Sequence, residues 1–316
     1  MSQTTAPVKA PIVSDVVAAR RKSASQGFFA SSFSRFFRDK LSIVALVIFL
    51  IIALTTILAP WIATNILKQE RDTIDFNLLT QNLQPPVAPG VGGHFLGTDE
   101  LGRDLAVRVL YGGQVSLSVG FLTAIISLTI GTALGLMAGF FGGLIDDSVN
   151  GLLQIINNIP GLFLLIILSL IWKPDVISLS IIIGVIGWTG TTRLVRGAVL
   201  SLRSRDYIDA ARVSGAGNTR ILLVHILPNV ASLMLVQAGF DVVGAMLGEA
   251  GLSFLGFGIA VPVPSWGNML SDSQLYFTSA PWMVYFPAFS IFVTVLCVYL
   301  VADGLRDAFD PRLKGK

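Results

Sequence analysis

The chain has 316 residues, of which 53% are hydrophobic and only 13% charged, and its mean hydropathy is +0.75. A water-soluble domain carries about a quarter charged residues, so a soluble globule is excluded, and the long uncharged blocks predict membrane-spanning helices. One cysteine, Cys297, two distant histidines, His94 and His225, and a formal net charge of +3 leave no disulfide framework and no Cys/His metal site; no nucleic acid is expected as a partner.

Residues 1–40 read as an N-terminal tail whose first part, rich in Ser, Ala and Val, is expected to be disordered. No short apolar core with a small-residue cleavage site precedes residue 41, so the tail does not read as a secretory signal. Phe29, Phe33, Phe36 and Phe37 recur at i, i+4, i+7 and i+8, with Arg35 and Arg38 among them. This spacing predicts a helix lying in the membrane interface, the alternative being a plain extension of the first span.

The first span is predicted over 41–61, because about 20 apolar residues at 1.5 Å each cross a hydrocarbon core about 30 Å thick. Residues 62–114 then form an extracytoplasmic segment, turn-rich at Pro85, Pro86, Pro89, Gly90, Gly92 and Gly93, and long enough to touch a soluble partner. Within it Thr98 is expected to cap a helix with Asp99 and Glu100 in its first turn. Asp104 and Arg108 form an i, i+4 pair on that helix, with Leu101, Leu105 and Val109 on the opposite stripe.

Residues 115–302 read as a core of five further spans: one within 109–145, one within 148–172, then 176–192, 228–248 and 282–302. Arg193 follows the short fourth span and can snorkel, and the fifth carries Asp241 and ends near Glu249. The chain is therefore expected to be an all-α, polytopic membrane protein with six transmembrane helices. With the N-terminus inside, seventeen of the 22 Lys and Arg residues fall on inner segments, as the positive-inside bias requires. A seventh span over 251–266 would put the basic tail 303–316 outside, so that Gly- and Pro-rich stretch reads as a re-entrant or interfacial segment. Intramembrane polar residues are functional candidates because burying them is costly. Asp241 is expected to line a pathway or to hold helices together by bonding to a partner subunit, Asn157 and Asn158 to act as interhelical glue or as ligands, and Glu249 to fix the turn into Gly251 to Gly258.

The inner loop 201–229 is the most informative stretch. Ser204 is expected to cap a helix with Asp206 in its first turn, running through Tyr207, Ile208, Asp209, Ala210, Ala211 and Arg212. Gly215 then ends it, since glycine supplies a left-handed turn, and a second helix begins near Asn218 and stops at Pro228. A hinged pair with small side chains and exposed charge is suited to docking.

Asp209-Ala210-Ala211, then Gly215, then Leu227-Pro228 resembles the EAA loop of ATP-binding-cassette importer permeases, with Asp209 in place of Glu. The flanking motifs resemble the dipeptide, oligopeptide and nickel branch. They are Leu96-Gly97-Thr98-Asp99 with Gly102-Arg103-Asp104, His225 to Asn229, Gly251 to Gly256, Pro264-Ser265-Trp266-Gly267, and Leu305-Arg306-Asp307 with Asp310-Pro311-Arg312. The first span and its lead-in resemble the second, C-type permease of such systems. Gly151 and Gln154 depart from the family pattern, which carries an Arg and then an Asp there.

The resemblance implies a type I importer permease fold, a homologous permease as partner, two cytoplasmic ATPases and an extracytoplasmic substrate-binding protein. ATP and Mg would sit on the ATPases, and this chain carries no Gly-x4-Gly-Lys-Ser/Thr motif of its own. It implies a multi-pass protein of the cell membrane with both termini cytoplasmic, Tyr207, Asp209, Ala210, Ala211, Arg212, Gly215, Leu227 and Pro228 as the ATPase-coupling loop, and peptides as cargo. The alternatives are an ion-gradient-driven transporter, for which no convincing internal repeat is present, or nickel or another non-peptide cargo.

Overall fold

The computed structural model describes residues 32–309 apart from 77, 79–82 and 173. The early tail, Phe29, Lys173 and the motif at 310–312 lie outside the described residues. Helices α1 (Lys40–Ile57), α2 (Leu105–Phe141), α3 (Gly143–Asn158), α4 (Gly161–Ile171), α5 (Val176–Arg203), α6 (Asp206–Val213), α7 (Leu227–Phe254), α8 (Trp266–Asp272) and α9 (Trp282–Phe309) carry the architecture.

Five helical runs, α1, α2, α5, α7 with its lead-in, and α9, are each long and apolar enough to cross a membrane, and α3 with α4 forms a bent sixth. The continuous third span expected over 148–172 is thus corrected: its two halves meet at 85°. Pro160 disfavours helical geometry at the residue before it, and Ile159 is extended, with φ −89° and ψ 127°.

Two further boundaries differ from expectation. The fourth span does not end at 192 but continues as α5 to Arg203, because its arginines find partners along the way. Arg196 forms a bidentate pair with Asp146 of α3 at 2.5 and 2.6 Å, and Arg203 donates to the Gly139 carbonyl at 3.0 Å. Nor does Pro228 stop a helix: Asn218–Arg220, a π-helical stretch Ile221–Ile226 and α7 form one helical run. A proline inside a regular helix removes one hydrogen bond and clashes with the carbonyl four residues back; the wider π turn before Pro228 accommodates it.

Helices α2 and α5 form the central pair. Gly131, Gly135 and Gly139, spaced by four, face Thr191, Val195 and Val199, and a Cβ on these glycines would lie 2.7, 2.8 and 2.7 Å from the Cβ atoms opposite. Small residues at this spacing let two helix backbones approach closely, which is how helices associate where water gives no drive. Gly135→Ala is therefore expected to lower the thermal stability of the purified protein by about 1–3 kcal/mol through overpacking. Gly151→Ala, with nothing within 4 Å of its added Cβ, is expected not to; equal melting temperatures for the two variants would contradict this packing.

Helix α1 is peripheral, with Ser42, Ala45 and Thr56 as its buried residues. Asp39 caps it, accepting from the Leu41 and Ser42 amides at 3.2 Å each, and these bonds, with the Ser42 hydroxyl foremost, hold its carboxyl below the ordinary carboxylate range. Ser42 also donates to the Leu300 carbonyl of α9 at 3.2 Å. In the aromatic lead-in Phe36 is buried, Phe37 is exposed, and Phe33 meets Phe309 edge-on at 6.0 Å, so Phe33 packs on the end of α9.

At the end of the bundle opposite α6, Thr98 does not cap a helix; its hydroxyl accepts from the Val87 amide at 2.8 Å. Helix α2 begins at Leu105, capped by Asp104, which accepts from the Val107 amide at 2.9 Å. The expected Asp104 to Arg108 pair does not form, because the capping carboxylate turns to His94 at 2.8 Å while Arg108 turns back to Asp99 at 3.2 Å. The stretch 251–266 is not a span: it completes α7, turns at Gly256 with φ +85°, and leads into α8. Trp266, 1% exposed, seats against Gly112 and Gly113 of α2.

Candidate coupling loop

Between α5 and α7 the chain folds into a short knob. Ser204 does not cap α6: it ends α5, its hydroxyl turned back to the Ser201 carbonyl at 3.4 Å, and α6 starts after Arg205 without a side-chain cap. Asp206 and Asp209 in the first turn and Arg212 in the last complement the helix dipole. The C-terminus closes as a Schellman turn: the Ala216 amide bonds the Ala211 carbonyl at 3.0 Å, and the Gly215 amide bonds the Arg212 carbonyl at 2.9 Å. Gly215 has φ +82°, a conformation that L side chains rarely adopt.

The knob is anchored by branched apolar side chains. Ile208, Ile221 and Ile226 are fully buried and cluster with Leu136 and Phe140 of α2, Val195 and Val199 of α5 and Val230 of α7. Tyr207, Ala211 and Leu227 pack on the same cluster. Burying one such side chain contributes about 1.5–3 kcal/mol; Ile208 of α6, with Ile221 and Ile226 of the run that leads into α7, therefore fastens the knob against α2, α5 and α7. Its outer surface is free: Asp209, Ala210, Arg212, Gly215 and Pro228 are exposed. Asp209 pairs with Arg212 at 2.9 Å, side chains 63% and 45% exposed, and such a pair contributes only about 0–1 kcal/mol. A docking partner can therefore take either charge at little cost. The Arg212 guanidinium also lies 5.9 Å from the Phe140 ring centre.

The other polar candidates lie elsewhere in the bundle. Asp241, half-buried on α7, accepts from Thr191 of α5 at 2.9 Å and from Gln237 at 2.8 Å. Asn157 donates to the Leu153 carbonyl at 2.6 Å and accepts from Thr189 of α5 at 3.4 Å, while Asn158 and Gln154 are exposed. Glu249 is fully buried, takes bonds from Ser116 of α2 at 2.8 Å and Ser253 at 2.7 Å, and thereby sits beneath the turn after α7.

Sequence reasoning missed the bond from Arg203 to Gly139, the Phe140 ring beside Arg212 and the Asp146–Arg196 pair. Nothing local signals a contact between residues 50 apart in the chain. The four-residue glycine spacing on α2 was the one visible signal of the central packing.

Comparison with known proteins accords with this geometry. Residues 131–315 match the family described as binding-protein-dependent transport system inner membrane component. Residues 27–86 match the N-terminal TM domain of oligopeptide transport permease C. The chain is 40% identical over 279 residues to the oligopeptide transport system permease protein OppC of Haemophilus influenzae, covering 88% of this chain and 86% of the relative. It is 39% identical over 283 residues to the dipeptide transport system permease protein DppC of Alkalihalophilus pseudofirmus, covering 90% of each. A chain of the inward-facing MetNI methionine ABC transporter superposes with a TM-score of 0.52 at 17% identity, over 64% of this chain and 96% of that one. That likeness carries the type I importer permease fold. The long apolar helices, the anchored knob between α5 and α7 and these matches together place this multi-pass membrane chain in the family of binding-protein-dependent transport system inner membrane components, in the group that carries the permease C N-terminal domain.

Proposed function

We propose that this chain is the C-type permease subunit of an ATP-driven importer that moves dipeptides or oligopeptides into the cytoplasm by alternating access. It pairs with a homologous permease, takes its drive from two cytoplasmic ATPases that hold ATP and Mg, and receives cargo from an extracytoplasmic binding protein. It lies in the cell membrane with both termini cytoplasmic. The observation that carries the reading is the knob that holds α6, packed through buried Ile208, Ile221 and Ile226 against α2, α5 and α7 while its charged face stays open. A push on that face is passed to three helices together, where a floppy connector would absorb it.

The test is uptake of a labelled dipeptide by proteoliposomes containing the whole transporter and its external receptor. ATP-dependent uptake that survives an uncoupler is expected. Uptake abolished by the uncoupler and indifferent to ATP would instead indicate an ion-gradient transporter, and ATP-driven uptake of a nickel chelate alone would change the cargo but not the class.

Asp241 acts in this reading as interhelical glue between α7 and α5. Asp241→Ala is expected to destabilise the complex by about 1–3 kcal/mol, because the Thr191 hydroxyl loses its buried acceptor. The apparent KM for uptake should stay within about twofold. A shifted KM with unchanged thermal stability would put Asp241 on the pathway.

A further inference from the structure

At the end of the bundle opposite α6, a cavity of about 370 Å³ opens between α4, α8 and the loop after α7. Its walls are apolar at Leu170, Phe257, Ile259 and Val261 and polar at Ser169 of α4, Ser253 of α7, and Asn268, Ser271 and Asp272 of α8; Ser253 is engaged by Glu249 and Asn268 by the Val263 carbonyl. Ser169 is 5% exposed and its hydroxyl has no hydrogen-bond partner among the described residues. A buried hydroxyl without a partner carries a desolvation cost that an incoming polar group removes. Asp272 is half-buried and makes no hydrogen bond or ion pair among the described residues. Burial pushes its carboxyl above the ordinary carboxylate value, partly offset by Arg108 and Arg103. Those two guanidiniums are themselves engaged by Asp99, at 3.2 and 2.6 Å. The cavity thus offers an anionic acceptor and a hydroxyl beside apolar side chains.

We propose that this cavity is a binding site for a solute bearing a primary ammonium beside an apolar group, and that it receives the amino terminus of a peptide on entry. The ammonium supplies donors to Asp272 and Ser169, and the neighbouring side chain packs on Phe257, Ile259 and Val261. The proposal rests on the reading of the chain as a peptide importer, and it locates one end of the cargo within this subunit.

Ala260 lines the same cavity and is exposed, which makes it a reporter position. In the whole transporter reconstituted in proteoliposomes, with Cys297 replaced by Ser, Ala260→Cys is labelled with a trimethylammonium methanethiosulfonate or its sulfonate counterpart, and the modified chain is identified by mass. The cationic reagent is expected to react about tenfold faster, since a half-buried carboxylate lining the recess attracts cations. Alanyl-phenylalanine should slow the labelling and N-acetyl-alanyl-phenylalanine should not. Asp272→Asn in the same background should bring the two rates together and remove the protection. Equal rates before that change, protection by the acetylated peptide as well, or an Ala260→Cys that reacts only after the subunit is separated from its partners would overturn the site; the last result would mean that a neighbouring subunit fills the cavity. ATP-driven uptake of alanyl-phenylalanine, measured on the same vesicles before labelling, separates the two claims. Uptake without protection removes the site alone, whereas absent uptake removes the peptide-importer reading.

Discussion

Gly215→Asp is expected to abolish ATP-driven uptake and the transport-stimulated part of ATP hydrolysis while the subunit remains inserted and assembled. The cause is local. Gly215 holds φ +82° and nothing lies within 4 Å of where its Cβ would be, so the damage is not a clash with a neighbour. A residue with a Cβ pays about 1–2 kcal/mol to stay left-handed, enough to open the Schellman turn that sets the angle between α6 and the helical run from Asn218. The carboxylate also adds a negative charge to an exposed face that already holds Asp209. Because the three anchoring isoleucines are untouched, the fold survives and coupling is lost, with uptake down by more than about tenfold for a misalignment costing 1.4 kcal/mol or more. Gly215→Asn, which tolerates the left-handed region better and adds no charge, should retain a measurable rate. Uptake and coupled ATPase rates are read on reconstituted vesicles; normal uptake by the Asp variant would remove Gly215 from the coupling role.

Glu249→Leu is expected to have the largest effect on stability. The carboxylate is fully buried and accepts hydroxyls from Ser116 at 2.8 Å and Ser253 at 2.7 Å. Each of those serine oxygens in turn accepts a backbone amide, Trp266 for Ser116 and Ile259 for Ser253, both at 3.2 Å. One side chain therefore fixes both ends of the loop that joins α7 to α8. Replacing it with leucine strands two buried hydroxyls at about 1–3 kcal/mol each, or about 2–6 kcal/mol together. Little folded protein should be recovered by size-exclusion chromatography after detergent extraction. Glu249→Gln, which keeps one acceptor of the same shape and adds a donor, should restore most of the yield. A Leu variant with wild-type yield and melting temperature would show that the network is dispensable.

Much of this architecture was legible because the membrane makes hydropathy a strong signal: five apolar runs became long helices, and counting positive charges kept 251–266 from being read as a span. The failures share a cause. The early stop assigned at residue 192 and the helix end assigned at Pro228 treated charge and proline as local terminators. Tertiary partners overruled both, the first through Asp146 and the Gly139 carbonyl, the second through a π-helical stretch that absorbs the proline. Thr98 was a sound cap by residue type, but Val87, eleven positions away, claimed its hydroxyl and left the role to Asp104. In the knob, the glycine turn and the charged face could be read directly, since both depend on neighbours in sequence. Its anchoring could not, because Ile208 looks like any helical isoleucine until α2, α5 and α7 enclose it.

The central claim is that another subunit's chemical energy enters through the exposed face of α6. The direct measurement is photocrosslinking from Arg212→Cys carrying a benzophenone maleimide, in the assembled transporter with Cys297 replaced by Ser. Adducts with a nucleotide-binding subunit, changing in yield when ATP replaces ADP, are the predicted result. Adducts with lipid alone, or labelling of that position by an impermeant reagent applied from outside, would contradict the account.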